Sequence, residues 1–336
     1  MKARKNKKKA SVTATPIPPA DGRPPPAPFT ASETGPLTAL DVWLMIGLTL
    51  LALALRIWRV GVPNFWGDEI HTFLKSSQPL AVILRGESIA EGQFPPLHYI
   101  LAHFSMRLFG FNEWGSRLPT VMVGVLAIPV QYLLGRFLVG RRLAVLSTAV
   151  LTLSLYHIYY SRDNHSYGIY YGLAAISFYC FLRLLFHERQ HWGYWAGYAV
   201  STSLMMLTHF IGAVACITQA VIGGVYFLEM GLRRGHWKAA GRMIFWFALA
   251  GGVVAAAMAP FFSHLLGVTN YVAGEVDTIH FDAKFLNFTF SYQGFGNGWG
   301  LALYLFVLIL GTVYALIHRR NTALLLLGWF LFPYLF

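Results

Sequence analysis

The sequence predicts an all-α protein that crosses a membrane several times. Of its 336 residues, 56% are hydrophobic and only 12% are charged, and the mean hydropathy is +0.52. Soluble domains carry about 25% charged residues. Several apolar stretches reach the roughly 20 residues that an α-helix needs to cross a bilayer. We therefore predict a bundle of transmembrane helices.

Charged residues lie mostly between the apolar stretches, and most of them are basic. The chain has 26 Lys and Arg against 14 Asp and Glu, a formal net charge of +12. In a soluble protein this excess would indicate nucleic-acid binding, but cations clustered between apolar stretches are typical of cytoplasmic loops. We therefore expect membrane lipids, and no nucleic acid, as partners. Cys180 and Cys216 lie in separate apolar stretches and are predicted to be packed thiols.

Residues 1–38 predict a disordered cytoplasmic tail. A cluster of lysines and arginines is followed by a tract rich in proline, alanine and threonine, and such a composition cannot build a core. A signal peptide is not expected, because the first apolar stretch begins late and no small-residue cleavage site follows it. The basic cluster predicts that the N-terminus stays in the cytoplasm.

Residues 39–336 predict a transmembrane module of about nine spans. The apolar stretches are 41–60, 118–138, 143–160, 167–186, 193–210, 211–230, 243–262, 299–317 and one that starts at 322. When they cross alternately, the later basic clusters fall on the same side as the basic tail, as the Lys/Arg bias requires. The last stretch has about 15 residues, fewer than a full span needs, so we expect a truncated form of a longer protein.

This threading requires that residues 97–109 do not cross the membrane. The segment follows Pro95-Pro96 and would be only about 20 Å long as a helix. Apolar residues recur in it at helical spacing, with His98 and Ser105 to one side. The apolar positions are Leu97, Ile100, Leu101, Phe104 and Leu108. We predict an amphipathic helix that lies in the membrane interface.

Two adjacent acids, Asp68 and Glu69, follow Trp66 and Gly67 just after the first span. A helix would point adjacent side chains about 100° apart, so they are not expected to act as a close pair. Asp68 is a candidate general base. Glu69 is a candidate catalytic partner that positions or binds the substrate from which the base takes a proton. The alternative for Asp68 is a helix N-cap, a position that aspartate favours.

Other polar groups on the predicted outer side are candidates for substrate binding. Arg117, at the mouth of the second span, could bind a phosphate with its planar fork or serve as an interfacial anchor. Arg162 and His165 lie in a short turn that is either a phosphate site or an ordinary helix hairpin in which Arg162 balances Asp163. His98 is a lone histidine for which interfacial packing is the alternative.

The loop 263–298 contains several acids and a histidine among aromatic residues. Their spacing matches no defined metal motif, and a solvated loop is the favoured interpretation. We expect no required cofactor, and a divalent cation stays an open alternative.

Short motifs occur in a fixed order between residues 45 and 185. They are Trp66-Gly67-Asp68-Glu69, Pro95-Pro96-Leu97-His98-Tyr99, Phe109-Gly110, Arg117-Leu118-Pro119 and the segment from Tyr159-Tyr160-Ser161-Arg162 to Tyr167. This ordered set resembles the GT-C membrane glycosyltransferases, in the bacterial branch related to protein O-mannosyltransferases and lipid A aminoarabinose transferases.

The resemblance implies a GT-C type transmembrane helix bundle with amphipathic juxtamembrane helices in the first extracytoplasmic loop. It implies an inner-membrane enzyme with an extracytoplasmic active site, a polyprenyl-phosphate-linked sugar as donor, and an acceptor hydroxyl on a lipid, a glycan or a protein. Asp68 and Glu69 are then the expected catalytic residues, and Arg117, Arg162 and Tyr167 are among the expected substrate contacts.

Two other functions stay open. Many GT-C relatives have a histidine or aspartate where this chain has Phe94, and an arginine where it has His165. These departures would suit a non-catalytic assembly subunit. A transporter or flippase of a lipid-linked glycan is expected to carry charged groups within its spans, whereas the main polar residues there are Gln131 and Gln219.

Overall fold

A computed structural model describes residues 36–85, 95–186 and 191–261, with a few further helical residues between 302 and 317. Within these ranges every regular element is a helix. The helices are α1 Ala39–Ile57, α2 Gly67–Ser76, α3 Leu80–Arg85, α4 Leu97–Phe109, α5 Glu113–Val139, α6 Arg141–Leu153, α7 Leu155–Ser161, α8 Tyr167–Phe186, α9 Trp192–Met206, α10 Gly212–Leu228 and α11 Trp237–Met258. A π-helical turn, Glu229–Arg233, continues α10, and a 3₁₀ turn, Ala259–Phe261, ends α11.

Five of the described helices are long and apolar enough to cross a membrane: α1, α5, α8, α10 with its π-helical turn, and α11 with its 3₁₀ turn. Helices α6 and α7 form a sixth span if they are taken together, with a bend of 59° between them. Helix α9, at 15 residues, is shorter than the stretch 193–210 that the sequence predicts. The fold confirms an all-α, multi-pass membrane protein. The two stretches predicted after residue 298 lie largely outside the described residues.

Helices α5 and α8 form the centre of the bundle. In the most apolar 18-residue stretch of each, about two thirds of the residues are buried (61% and 67%), against 17% in α1 and 11% in α11. The largest cluster of buried apolar residues joins α5 and α8 to the helices that follow. Its members include Phe137, Phe178, Phe181, Met205 and Tyr226. The exposed apolar faces of α1 and α11 are therefore the surfaces available to lipid.

The bend between α6 and α7 lies at Ser154, whose hydroxyl accepts the N–H of His157 and starts α7. Arg56 of α1 is buried at this bend. Its Nη1 donates to the carbonyls of Ala52 (3.1 Å) and Thr152 (3.3 Å), and its Nη2 lies 2.6 Å from Nδ1 of His157. A broken helix leaves carbonyls without intrahelical donors, and Arg56 donates to one of these carbonyls, that of Thr152.

Two ionisable side chains are buried near the ends of α1. Besides Arg56, Asp41 in the first turn of α1 is fully buried. Asp41 accepts from the hydroxyl of Tyr132 at 2.5 Å and pairs with Nε of Arg141 at 2.9 Å. These groups fasten α1 to α5, α6 and α7. Both groups lie in the end turns of α1, and the expectation that charged groups are scarce in the interiors of the spans stays a prediction.

Three short helices, α2, α3 and α4, lie between α1 and α5 in the chain, as the prediction of juxtamembrane helices requires. Helix α4 has the predicted bounds, and its polar face packs inward: His98 and Ser105 are buried, and the hydroxyl of Ser105 donates to the carbonyl of Gly115 at 2.6 Å. Its apolar residues Phe104 and Leu108 are 49% and 77% exposed. Orientation of α4 along the membrane plane stays a prediction.

The connection between α4 and α5 depends on two glycines. Gly110 ends α4 with a φ of 102°, a conformation that side chains rarely adopt. A Cβ at Gly115 would lie 2.1 Å from the carbonyl oxygen of Gly110, so only glycine fits there. Asn112 begins α5 by accepting the N–H of Gly115 at 2.9 Å. This tight corner holds α4 against the N-terminal end of α5, beside the loop that follows α1.

Cysteine labelling tests the threading. In a background with Cys180 and Cys216 replaced by alanine, Phe111→Cys is expected to react with a membrane-impermeant maleimide added outside the cell. Arg142→Cys and Lys238→Cys are expected to react only after the membrane is opened, because their basic neighbourhoods predict a cytoplasmic location. All three positions are exposed. Reaction of Arg142→Cys in intact cells would reverse the orientation and place the candidate site on the cytoplasmic face.

Candidate active site

Helix α2 starts at Gly67, with Trp66 in the N-cap position in extended conformation. The Trp66 N–H donates to Oε2 of Glu69 at 3.4 Å, so Glu69 caps the helix from its third position. Asp68 occupies the second helical position, and the N-cap alternative for Asp68 is therefore wrong. Acids in a first helical turn are stabilised by the helix dipole.

The two adjacent acids have opposite environments. Glu69 is buried, with 2% of its surface exposed, whereas Asp68 is exposed. Within the described ranges, the Asp68 carboxylate has no hydrogen bond or ion pair. One turn of helix thus holds one acid for structure and leaves the other accessible to a substrate.

Glu69 forms a buried ion pair with Arg117 of α5, which is 4% exposed. Nε of Arg117 donates to Oε1 at 2.7 Å, and Nη2 donates to Oε2 at 2.5 Å. The remaining donors reach the carbonyls of Val60 (2.7 Å), Pro63 (2.8 Å) and Asn64 (3.3 Å). All five guanidinium N–H groups are used, so this arrangement leaves none for a phosphate.

The same carboxylate also fixes the loop 162–166, which connects α7 and α8. The N–H of Asn164 donates to Oε1 of Glu69 at 2.7 Å. In parallel, the indole N–H of Trp66 donates to Oδ1 of Asp163 at 3.0 Å. Residues from the loop after α1, from α2, from α5 and from the α7–α8 loop therefore meet around Glu69.

A cavity of about 190 Å³ lies between the loop after α1 and the end of α7. Its lining consists of Val60, Pro63, Asn64, Trp66, Glu69, Arg117, Tyr159, Arg162 and Asp163. Arg162 donates through Nη2 to the carbonyl of Trp58 at 2.8 Å, but its Nε is buried without a partner. Burial and the charge of Arg117 lower the pKa of Arg162. Of the two arginines on this cavity, Arg162 is the one with an N–H group to offer.

Asp163 was treated in the sequence analysis only as a charge partner for Arg162. In the structure it is 4% exposed and pairs with Trp66 instead, and its Oδ2 has no partner. Burial, together with the nearby Glu69 carboxylate, raises the pKa of Asp163 to about 7, against the opposing hydrogen bond from Trp66. A carboxyl group with a raised pKa thus lines the cavity.

Histidines and tyrosines gather on the Asp68 side of α2. The ring of His165 stacks on Tyr167 at 4.5 Å, and Tyr167 lies 5.3 Å from the ring of His209. Burial lowers the pKa of His165, and the charges of Asp68 and Glu69 oppose this effect. The charge of Asp68 also adds to burial in raising the pKa of Tyr99 to about 12. These interactions place His165 and Tyr99 in the electrostatic neighbourhood of Asp68.

His98 lies deeper, 2% exposed, and neither of its ring nitrogens has a hydrogen-bond partner. Burial lowers its pKa to about 3, so the ring is neutral at physiological pH. Burial likewise lowers the pKa of His209 to about 4. His98 and His209 are therefore neutral and are poor cations for a phosphate.

The structure thus separates the candidate residues into three groups. Asp68 interacts electrostatically with His165 and Tyr167, and His98 is buried near His165. Glu69 and Arg117 form the ion pair at the centre, and Arg162 and Asp163 lie on the cavity. Within the described ranges, no three His, Cys, Asp or Glu side chains come close enough together to hold a metal ion. The acids of the loop 263–298 lie outside those ranges.

The sequence model of the dolichyl-phosphate-mannose-protein mannosyltransferase family matches residues 93–264. That range is 172 of the 336 residues, just over half of the chain. The chain belongs to this family. The matched range contains α4 to α11 with Arg117, Arg162 and His165, while Asp68 and Glu69 precede it.

Solved structures with the same fold are available. This family member superposes on the crystal structure of ArnT from Cupriavidus metallidurans in the apo state with a TM-score of 0.60, at 19% identity, over 88% of this chain and 55% of that one. The crystal structure of the same ArnT bound to undecaprenyl phosphate gives a TM-score of 0.52, at 18% identity, over 86% and 53%. These matches confirm the predicted GT-C type helix bundle.

An uncharacterized protein of Aquifex aeolicus (strain VF5) is 28% identical over 177 residues, which are 52% of this chain and 34% of that protein. The chain thus spans about half the length of the ArnT chains and a third of this relative.

Proposed function

We propose that this protein transfers a glycosyl group from a polyprenyl-phosphate-linked sugar to an acceptor hydroxyl on the extracytoplasmic face of the inner membrane. The observation that carries the proposal is the difference in environment between the two acids in the first turn of α2. Glu69 is fixed in a buried ion pair, while the adjacent Asp68 is exposed and has no described partner. Family membership and the related fold of an ArnT solved with undecaprenyl phosphate support the lipid-linked donor.

Asp68 acts as the general base. In the transfer, the acceptor oxygen forms a bond to the anomeric carbon of the sugar as the bond from that carbon to the phosphate oxygen breaks. The hydroxyl proton passes to the Asp68 carboxylate, and the electrons of the broken bond leave with the polyprenyl phosphate. Because a phosphate is a stabilised leaving group, the reaction needs a positioned base and cations more than a general acid.

Arg162 binds the donor phosphate. Arg162 lines the cavity together with Trp66, which lies two residues before Asp68, and its Nε is buried without a partner. A charge-assisted hydrogen bond from arginine to phosphate is among the stronger polar contacts in proteins. His165, Tyr167 and His98 contribute the polar and aromatic surface on the Asp68 side.

Arg117 has a different role from the one that the sequence suggested. Since all its donors are used by Glu69 and by three carbonyls, it positions the loop after α1. We therefore assign Glu69 and Arg117 as positioning residues and leave the base to Asp68.

The donor half of the proposal is tested by binding. Arg162→Gln is expected to weaken binding of polyprenyl phosphate to the detergent-solubilised protein by roughly tenfold or more, the effect of losing one hydrogen bond to a charged group. Arg142→Gln, an exposed arginine at the start of α6, is the matched control and should bind normally. Equal affinities for Arg162→Gln and the native protein would remove Arg162 from the donor site.

A further inference from the structure

Asp163 is a buried carboxyl group with an unused oxygen at the cavity wall. Oδ1 accepts the indole N–H of Trp66, and Oδ2 has no partner. Arg162, the preceding residue, also lines the cavity, and its Nε has no partner. Two adjacent residues of one loop therefore line the same small cavity, and each has one buried polar side-chain atom without a partner.

The charges around Asp163 determine whether its carboxyl group is protonated or ionised when a phosphate binds nearby. Besides burial, Glu69 from α2 raises the pKa of Asp163, and the charge of Arg117 from α5 opposes this effect less strongly. Tyr167 of α8 is a further neighbour that is neutral at physiological pH. Arg162 is the remaining cation, and within the described ranges no carboxylate pairs with it.

A bound phosphodiester has one negative charge, which Arg162 alone can balance. If Asp163 were ionised, Arg162 would face two buried anions, with the Glu69 carboxylate close by as a third. Like charges brought together in a desolvated site favour the protonated acid. In that form the carboxyl gains an O–H donor.

We propose that Asp163 contacts the donor phosphate in its protonated form, donating its Oδ2 hydrogen to one phosphate oxygen while Nε of Arg162 donates to another. This inference rests on the proposed function, because it takes the lipid phosphate as the ligand of the cavity. It adds a substrate-binding residue that the sequence analysis treats only as a charge partner of Arg162, and it makes binding of the donor depend on one proton of the protein.

The direction of the pH dependence follows from the raised pKa of Asp163, which burial and the Glu69 carboxylate bring to about 7. Below that pH the carboxyl is protonated and ready to donate. Above it the group must take up a proton when the phosphate binds, so the observed affinity falls as the pH rises. Burial lowers the pKa of His98 to about 3 and that of His209 to about 4, so both stay neutral over this range, and burial also lowers the pKa of His165.

The test uses a probe whose own charge is constant, the monomethyl ester of a polyprenyl monophosphate. Calorimetric titrations of the full chain in two buffers of different ionisation enthalpy give both the affinity and the number of protons taken up. For the native protein, the affinity is expected to fall about tenfold between pH 6 and pH 8, with uptake approaching about one proton at pH 8.

Asp163→Asn tests whether the pH dependence of binding comes from protonation of the Asp163 carboxyl group. Asparagine keeps an oxygen for the Trp66 indole and offers an N–H in place of the O–H, as the protonated acid would. The variant should bind at pH 8 about as tightly as the native protein at pH 6, with no pH dependence and no proton uptake. Asp163→Ala should bind weakly at both pH values, because both contacts are lost.

Lys75 is the matched control for a titrating group outside the cavity. Its buried ammonium lies over the Tyr99 ring, 5.3 Å from the ring centroid, and burial lowers its pKa to about 8. Lys75→Gln should leave the pH profile unchanged. A flat profile in the native protein, or a profile that persists in Asp163→Asn, would overturn the inference.

Binding and transfer measurements distinguish failure of the Asp163 contact from failure of the proposed function. Binding of the ester needs no transfer, so Asp68→Asn should show the same pH profile as the native protein. A normal profile together with full transfer activity of Asp68→Asn would reject the base and keep the role of Asp163. A flat profile together with weakened binding by Arg162→Gln would reject the role of Asp163 and keep the donor site.

Discussion

Asp68→Asn is expected to lower glycosyl transfer by roughly 100-fold or more, the usual scale for loss of a positioned base. Asparagine has nearly the same shape as aspartate but cannot accept the acceptor proton. Asp68 is exposed and makes no described contact, so the fold should be unaffected. The measurement is the rate at which polyprenyl phosphate is released from a labelled lipid-linked sugar in membranes that contain the natural acceptor.

Glu113→Gln is the matched control for Asp68→Asn, since Glu113 is also an acid in the first turn of a helix. It should transfer at the native rate, and both variants should bind polyprenyl phosphate normally. Full activity of Asp68→Asn with a well-folded but inactive Glu69→Gln would exchange the two roles. Full activity of both Asp68→Asn and Glu69→Gln would show that neither acid of α2 is catalytic.

The second large effect concerns stability. Glu69→Gln leaves the buried Arg117 guanidinium without its counter-ion, and breaking a buried ion pair on one side costs about 3–5 kcal/mol. Both side chains are nearly inaccessible, at 2% and 4% exposure, so solvent cannot compensate. We expect a clear drop in the Tm of the purified protein in detergent, with loosening of the α7–α8 loop that Asn164 ties to Glu69.

Arg234→Gln is the control for this second prediction, because Arg234 forms a partly exposed ion pair with Glu229 at 3.0 Å. Loss of such a surface pair costs about 1 kcal/mol or less, and the Tm should hardly change. A double-mutant cycle with Glu69→Gln and Arg117→Gln should show strong coupling, since the two side chains contact each other. Similar Tm values for Glu69→Gln and Arg234→Gln would show that the buried pair does not hold the site together.

Local patterns predicted much of the fold. Apolar stretches located the spans because lipid imposes length and composition on each helix separately. Residues Pro95-Pro96 and the helical spacing of Leu97, Leu101 and Phe104 gave the bounds of α4. The bend at Ser154 lies inside one continuous apolar stretch, 143–160, and hydropathy does not reveal it. It depends on Arg56, which is distant in the chain and contacts the carbonyl of Thr152.

The candidate site could be predicted only in part, for a related reason. The divergence of Asp68 and Glu69 follows from helix geometry, which a sequence contains. The role of Arg117 depends on three carbonyls of the loop after α1 that converge on its guanidinium, and no sequence spacing shows that. Asp163 stands next to Arg162 in the chain, which suggested a charge pair. Its actual partner is Trp66, 97 positions away.

The most direct measurement is a structure of the full chain carrying Asp68→Asn with a bound polyprenyl-phosphate-linked sugar. The account predicts the phosphate within hydrogen-bond distance of Arg162 Nε and Asp163 Oδ2, roughly 2.7–3.2 Å. It predicts the anomeric carbon on the side of residue 68, with room for an acceptor hydroxyl between that carbon and the side chain. A phosphate held elsewhere in the bundle, with the sugar out of reach of residue 68, would contradict the central claim.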